Sequence, residues 1–250
     1  MKKFRADLHV HTVLSPCAEV EMIPPLIVQT ALERGIDLIA ITDHNASANV
    51  GAVQKAAEST HLTVLPGMEV QSREEVHVLA LFETLAALQA WQGDVDRSLP
   101  DLPNQPEFFG EQFVVDETGE FLRSEPRLLL TSTGFSIDEI FNRVKALGGL
   151  VIPAHVDRLS YGLFPTLGLL SEHWSVPALE ISPQITPEKA ALTFPTTRGY
   201  PLIQSGDVHR LDDFLGTTLF TLTSPTWMEL SMALKQIDGR AVCIESQNNP

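Results

Sequence analysis

Short apolar runs that end in histidine or aspartate recur from one end of the chain to the other, and they leave few folds open. The clusters are Asp7-Leu8-His9-Val10-His11, Thr42-Asp43-His44-Asn45, Pro153-Ala154-His155 and Gly206-Asp207-Val208-His209. They hold five of the eight histidines, and a sixth, His77, opens another apolar run just after Gly67-Met68-Glu69. Each run reads as a β-strand, so imidazoles and carboxylates arrive at one place from several strand ends. A barrel does this readily, because functional residues gather at the carboxyl ends of its strands. Such a site suits borderline divalent cations: zinc, manganese or iron.

The segments between the clusters alternate. Strands are expected at Phe4 to Val10, Asp37 to Thr42, Leu62 to Leu65 (closed by Pro66-Gly67) and Val76 to Phe82. More are expected at Gly149 to Ala154, Ala178 to Ser182, Pro201 to Ser205, Thr217 to Thr221 and Arg240 to Ile244. Helices are expected at Pro24 to Arg34, Val50 to Glu58, Thr84 to Trp91 and Thr226 to Ile237. Another, at Ser136 to Leu147, opens on a capping box made by Ser136 and Glu139. Alternation of this kind implies parallel strands with helices outside, and seven or eight units imply a closed barrel. Gln92 to Thr133 breaks the rhythm with four prolines and no helical period, and holds a β-hairpin around Asp116-Glu117-Thr118-Gly119. It reads as an insertion or lid within a single domain spanning 1–250, or as a surface excursion.

A chain of 250 residues with 44% hydrophobic content can bury a sizeable core. Its net charge of −15 disfavours strong nucleic-acid binding, which relies on lysine and arginine against phosphates. A small phosphorylated substrate stays compatible, because bound cations reverse the local field. The two cysteines, Cys17 and Cys243, make no disulfide framework. No apolar stretch resembles a signal peptide or spans a bilayer, so the expectation is a cytoplasmic protein away from membranes. The sequence leaves the oligomeric state open.

His9 and His11, two apart on a strand, share a face and form a chelating pair, and Asp207 with His209 repeats the spacing. With Asp-Leu-His-Val-His-Thr at 7–12, Ile-Thr-Asp-His at 41–44, Gly-Met-Glu at 67–69, Pro-Ala-His at 153–155 and Gly-Asp-Val-His at 206–209, the chain resembles the PHP (polymerase and histidinol phosphatase) family. The resemblance implies a distorted (β/α)7 barrel holding two or three divalent metals. It places His9, His11, Glu69 and Asp207 on one metal, and Glu69, bridging, with His77 and His155 on a second. A third falls to His44 and His209 with a ligand from the loop after the first strand, where Cys17 aligns. Relatives often carry histidine or aspartate there, so Cys17 is either a thiolate ligand or a small buried thiol.

Asp7 and Asp43, beside the ligands, are expected to orient imidazoles. Arg158 and Arg210 are candidates for substrate phosphate, or else surface ion pairs. His61 and His173 lack a partner motif, and Cys243 lies in an apolar strand as a core thiol. The expected chemistry is hydrolysis of a small phosphorylated metabolite or nucleotide by a metal-bridging hydroxide, with Glu69 as the bridge. Two alternatives stand beside it. An amidohydrolase-like enzyme acting on a non-phosphate substrate would commonly use a bridging lysine, and no lysine lies near a strand-end cluster. A catalytically degenerate regulatory module would keep the ligands without turnover.

Overall fold

The computed structural model describes residues 1–245, and the distorted (β/α)7 barrel forms. The chain opens with β1 (Lys2–Val10), α1 (Pro24–Glu33), β2 (Leu38–Ile41), α2 (Val50–Ala57) and β3 (Thr63–Gln71). It continues through β4 (His77–Leu81), α3 (Leu85–Ser98), α4 (Pro106–Phe109), the hairpin of β5 (Phe113–Val115) and β6 (Phe121–Ser124), and α5 (Ile137–Ala146). The last third supplies β7 (Leu150–Pro153), α6 (Leu163–Leu167), β8 (Leu179–Ile181), α7 (Pro187–Thr193), β9 (Leu202–Gln204), β10 (Thr218–Leu222), α8 (Trp227–Leu234) and β11 (Ala241–Ile244).

Seven strands form one curled sheet in the order β11-β10-β1-β2-β3-β4-β7, and β8 and β9 pair in parallel to complete the wall. At the carboxyl end the wall closes through backbone bonds: Val156 N–H to Glu180 C=O and His11 N–H to Val208 C=O, both 2.9 Å. The sheet is not wholly parallel, as the alternation had implied. β4 runs antiparallel to β3 and β7, because residues 72–76 make a hairpin turn far too short for a crossover helix. β10 and β11 are antiparallel additions on the other side of β1.

Side-chain alternation sorts the core into two layers. Ile39, Ile41, Val64, Met68 and Val78 face outward beneath helical residues such as Ile27, Val53 and Trp91. Leu38, Ala40, Leu65, Leu79, Ile152 and Ile203 fill the barrel interior, together with Leu230 and Leu234 of α8. Continuing the inward parity along β3 and β4 leads to Glu69 and His77, so the polar site sits above this apolar plug.

Three further expectations change. β3 does not stop at Pro66-Gly67 but runs to Gln71, because glycine lets the strands touch. A Cβ at Gly67 would lie 2.8 Å from the Leu81 side chain and 3.0 Å from the Ile41 carbonyl. α3 continues to Ser98, taking in the first residues of the segment read as irregular, with Val95 buried beside Trp91. Cys243 is exposed, since β11 is an edge strand and one face of it meets solvent.

The hairpin of β5 and β6 forms as expected. The Asp116 carboxylate accepts the Thr118 and Glu120 N–H groups at 2.9 and 3.0 Å. It is fastened over the loop after β1: Phe113 N–H donates to Val13 C=O at 2.9 Å. A Cβ at Gly110 would meet the Pro16 carbonyl at 2.1 Å. No helix among the described residues is long and apolar enough to cross a membrane.

The capping box of α5 forms on both sides, Ser136 Oγ accepting from Glu139 N–H at 3.2 Å and the Glu139 carboxylate accepting from Ser136 N–H at 2.9 Å. Ser136→Ala is expected to lower unfolding stability by about 1 kcal/mol. Urea denaturation measures this, and a change under about 0.3 kcal/mol would mean the cap contributes nothing.

Candidate metal centre

Five imidazoles converge on one carboxylate. Glu69, inward on β3 and 1% exposed, has His44 Nδ1 2.8 Å from Oε2 and His77 Nδ1 2.8 Å from Oε1. His155 Nε2 is 3.2 Å away, His9 Nε2 3.3 Å and His11 Nε2 3.5 Å. Asp207 Oδ1 faces the same pair from the other side, 3.2 Å from His9 Nε2 and 3.3 Å from His11 Nε2.

The placement of His9 and His11 depends on an irregularity in β1. The β1–β2 register slips between Asp7 and Val10, so Val10 pairs with Ile41 on the helix side and the histidines flanking it turn inward. Bulges re-aim side chains in this way. Strain marks the rest of the site. Asn45, His155, Tyr161 and Asp207 hold positive φ angles of 49°, 29°, 63° and 50°. Such backbone costs roughly 1–3 kcal/mol per residue and persists where surrounding contacts enforce it.

Polar neighbours hold the imidazoles in place. Asp43 accepts from Thr12 N–H at 2.7 Å and from Ser15 Oγ at 2.7 Å, and Ser15 Oγ lies 2.9 Å from His11 Nδ1. Asp43 therefore orients His11 through Ser15. Asp7 touches no imidazole. Its carboxylate accepts Gly206 N–H at 3.0 Å and Leu215 N–H at 2.8 Å, fixing the loop that carries Asp207 and His209. Burial pushes its carboxyl up to about 6, against the lowering effect of those N–H groups. Tyr161 stacks on His77, with ring centroids 4.3 Å apart and planes 11° from parallel.

One functional neighbour escaped the sequence reading. Glu180, buried on β8, accepts His155 N–H at 3.0 Å and lies 2.9 Å from His9 Nδ1, so it positions two of the histidines. Its only signal is a lone carboxylate inside the apolar run Ala178-Leu179-Glu180-Ile181.

Whether cations fit is decided by the orphaned atoms. His9 Nε2, His11 Nε2, Glu69 Oε2 and Asp207 Oδ1 are buried close to one another or to His44 yet none makes a hydrogen bond of good geometry, and these four residues can bring ligand atoms within 4.8 Å of one another. A buried polar atom without a well-formed hydrogen bond costs roughly 1–3 kcal/mol, so four in one place suit a shared positive centre. Two more such groups share residues with the first: His44, Glu69 and His77, and His11, His44 and His209. The residues present fit more than one divalent cation. Burial raises the Glu69 carboxyl, yet His77, His9 and His44 hold it well below its ordinary range, in the form that ligates.

The centre opens on a pocket of about 270 Å³ lined also by Cys17, Gln71, Leu130, Arg158 and Tyr161. Cys17 is solvent-exposed as a residue, not part of the core, but its thiol is turned into the pocket toward His209 and His44. Burial raises its thiol, but hydrogen bonds from His209 and His44 outweigh that and bring it to about 7. Arg158 Nη1 reaches Asp207 Oδ2 at 2.5 Å. Arg210 is not brought to the pocket, its side chain being 64% exposed and 3.6 Å from Glu19.

Among solved structures the fold is similar to that of the lesion-specific endonuclease PfuEndoQ from Pyrococcus furiosus, with a TM-score of 0.74 at 18% identity over 96% of this chain. That match covers 58% of the endonuclease, so the chain spans less than two thirds of it. A proposed metal-dependent phosphoesterase from Bifidobacterium adolescentis matches with TM-score 0.56 and 19% identity, over 82% of this chain and 87% of its own. An amidohydrolase from Chromobacterium violaceum with bound sulfate and no metal matches with TM-score 0.59 and 16% identity, over 97% and 99%. No curated protein matches the chain in sequence. The family model of the PHP domain, however, matches residues 7–148, more than half of the chain, and takes in Glu69, His77 and three of the clustered histidines. The chain belongs to the PHP domain family.

Proposed function

We propose that this chain is a metal-dependent phosphoesterase acting on a small phosphorylated metabolite or nucleotide. The observation that carries the reading is the convergence of five imidazoles on Glu69 beside four orphaned buried ligand atoms. His9, His11, Glu69 and Asp207 would hold one ion, and Glu69, His77 and His155 a second. His44, His209 and Cys17 would hold a third, with zinc, manganese or iron as the candidates. When bound, such ions supply Lewis acidity, lowering the pKa of water and drawing charge from phosphoryl oxygens.

The chain's own groups do the positioning. Glu180 and the Asp43–Ser15 pair fix the histidine rings of β1, and Tyr161 braces His77. Arg158, at the pocket wall, would exchange its Asp207 partner for a phosphate oxygen. The single domain's insertion, reaching from about 92 to 133, would act as the lid, since Leu130 lines the pocket and Gly110 presses on Pro16 beside Cys17. A pocket of about 270 Å³ admits a phosphoryl group with little more than one ring attached.

A nuclease acting on lesion-bearing DNA is the second reading, favoured by the likeness of fold to PfuEndoQ. Charge weighs against it: residues 92–133 carry nine carboxylates and three arginines in a chain of net charge −15. Metal analysis of the purified protein, with phosphomonoester and abasic-duplex substrates run side by side, tests both. About two to three ions per chain and chelator-sensitive monoester turnover are expected. Duplex cleavage without monoester turnover would favour the second reading, and less than about one ion after metal-supplemented expression would remove both.

Cys17 tests the third ion. Cys17→Ser is expected to lower metal content by about one ion per chain, since a hydroxyl is a far poorer ligand than thiolate. Cys17→Asp should restore part of it. A full complement in the serine variant would make Cys17 a bystander at the pocket rim.

A further inference from the structure

A second cavity, of about 730 Å³, lies at the amino ends of β7, β8 and β9, the opposite end of the strands from the metal centre. It lies at the amino end of the seam between β7 and β8. One backbone bond, Val156 N–H to Glu180 C=O, joins the segment after β7 to β8 at the carboxyl end, while no ladder among the described residues joins β7 to β8. Its volume falls within the roughly 300–1,000 Å³ typical of small-molecule sites.

The lining has two parts. Phe141, Leu150, Val176, Tyr200 and Leu234 form an apolar wall, continuous with the underside of the interior core. Lys145, in the last turn of α5, and Lys235, just past the end of α8, reach it from two sides, with His173 between strands. These are two of the chain's six lysines, and the chain has 32 carboxylate side chains, yet no aspartate or glutamate lines the cavity. Lys145 Nζ is held by Ser175 Oγ at 3.1 Å, and among the described residues neither lysine pairs with a carboxylate.

Each lysine alone is accounted for by its helix, because the carbonyl end favours a cation. The helices do not explain why both cations line one cavity that holds no carboxylate in so acidic a chain. The same carbonyl ends would repel an anion, so any anionic ligand here depends on the lysines. We propose that this cavity binds a small organic anion, an apolar body against Phe141, Tyr200 and Leu234 with a phosphate or carboxylate between Lys145 and Lys235. Such a ligand would join α5 to α8 across the open seam of the barrel. The site is independent of the hydrolytic reading and of bound metal.

The test uses two fluorescent probes of nearly the same shape: anilinonaphthalene sulfonate, an aromatic anion, and its uncharged analogue N-phenylnaphthylamine. The metal-loaded protein is expected to bind the anion saturably, about one per chain, and the neutral probe about tenfold more weakly. Added sodium chloride should weaken the anion alone. The double variant Lys145→Ala, Lys235→Ala should lose about tenfold in affinity for the anion while keeping its circular dichroism and melting temperature. Equal binding of the two probes, no saturable binding, or full affinity in the double variant would overturn the proposal. Such results would leave the cavity a packing gap and place any dye on exposed apolar side chains such as Phe108 and Phe121. The salt titration needs no variant, so a folding defect in the double variant leaves the outcome decidable.

Discussion

Glu69→Gln is expected to strip at least one metal ion per chain and to lower turnover by about 100-fold or more. The substitution keeps size and shape while turning one acceptor oxygen into an NH2 donor, so packing at this buried position survives. What it removes is the negative charge that His44 and His77 approach at 2.8 Å and three other imidazoles at 3.2–3.5 Å. An amide oxygen is a weak ligand for a divalent transition metal, and as the shared carboxylate Glu69 would serve two ions at once. Metal content by mass spectrometry and turnover on a phosphomonoester should fall together. His61→Ala and His173→Ala, remote from the centre, should leave metal content unchanged. A Glu69→Gln protein with its full metal complement and ordinary rate would show that the ligand assignment is wrong.

Removing the ions should cost the fold as well. His9 Nε2, His11 Nε2, Glu69 Oε2 and Asp207 Oδ1 make no well-formed hydrogen bond, and without cations only imidazole–carboxylate contacts at 2.8–3.5 Å offset their burial. Ions present at about 1,000 times their dissociation constant would stabilise the folded chain by about 4 kcal/mol. For a chain of this size that corresponds to a melting temperature roughly 10 °C higher than after exhaustive chelation. The sign is fixed: the chelated protein melts first, and returning zinc or manganese restores the difference. A shift under about 2 °C would mean the cluster holds no tightly bound ion.

The clustered histidines and carboxylates were legible in the sequence for a physical reason. Strand periodicity fixes which residues share a face, so His-x-His and Asp-x-His at the ends of apolar runs announce a common target before any fold is known. The capping box at Ser136 and the hairpin at Asp116 were legible for a similar reason, since each is closed by groups within four residues of one another. Local patterns of this kind do not depend on what packs against them.

What the tertiary structure alone decided lies in contacts between residues far apart in the chain. Glu180 reads as one carboxylate in an apolar strand until β8 brings it within 2.9 Å of His9, 171 residues away. Arg158 and Arg210 look alike, each close in sequence to a clustered histidine. Only the path of the two loops turns one toward Asp207 and the other toward Glu19. Asp7 sits in the motif yet holds a loop, because the register slip in β1 separates its face from that of His9. Likewise β4 reads as one more strand of a parallel barrel, and the brevity of its turn reverses it. Spacing along a strand fixes which side chains travel together. What they meet depends on register, strand direction and loop path, which long-range packing decides.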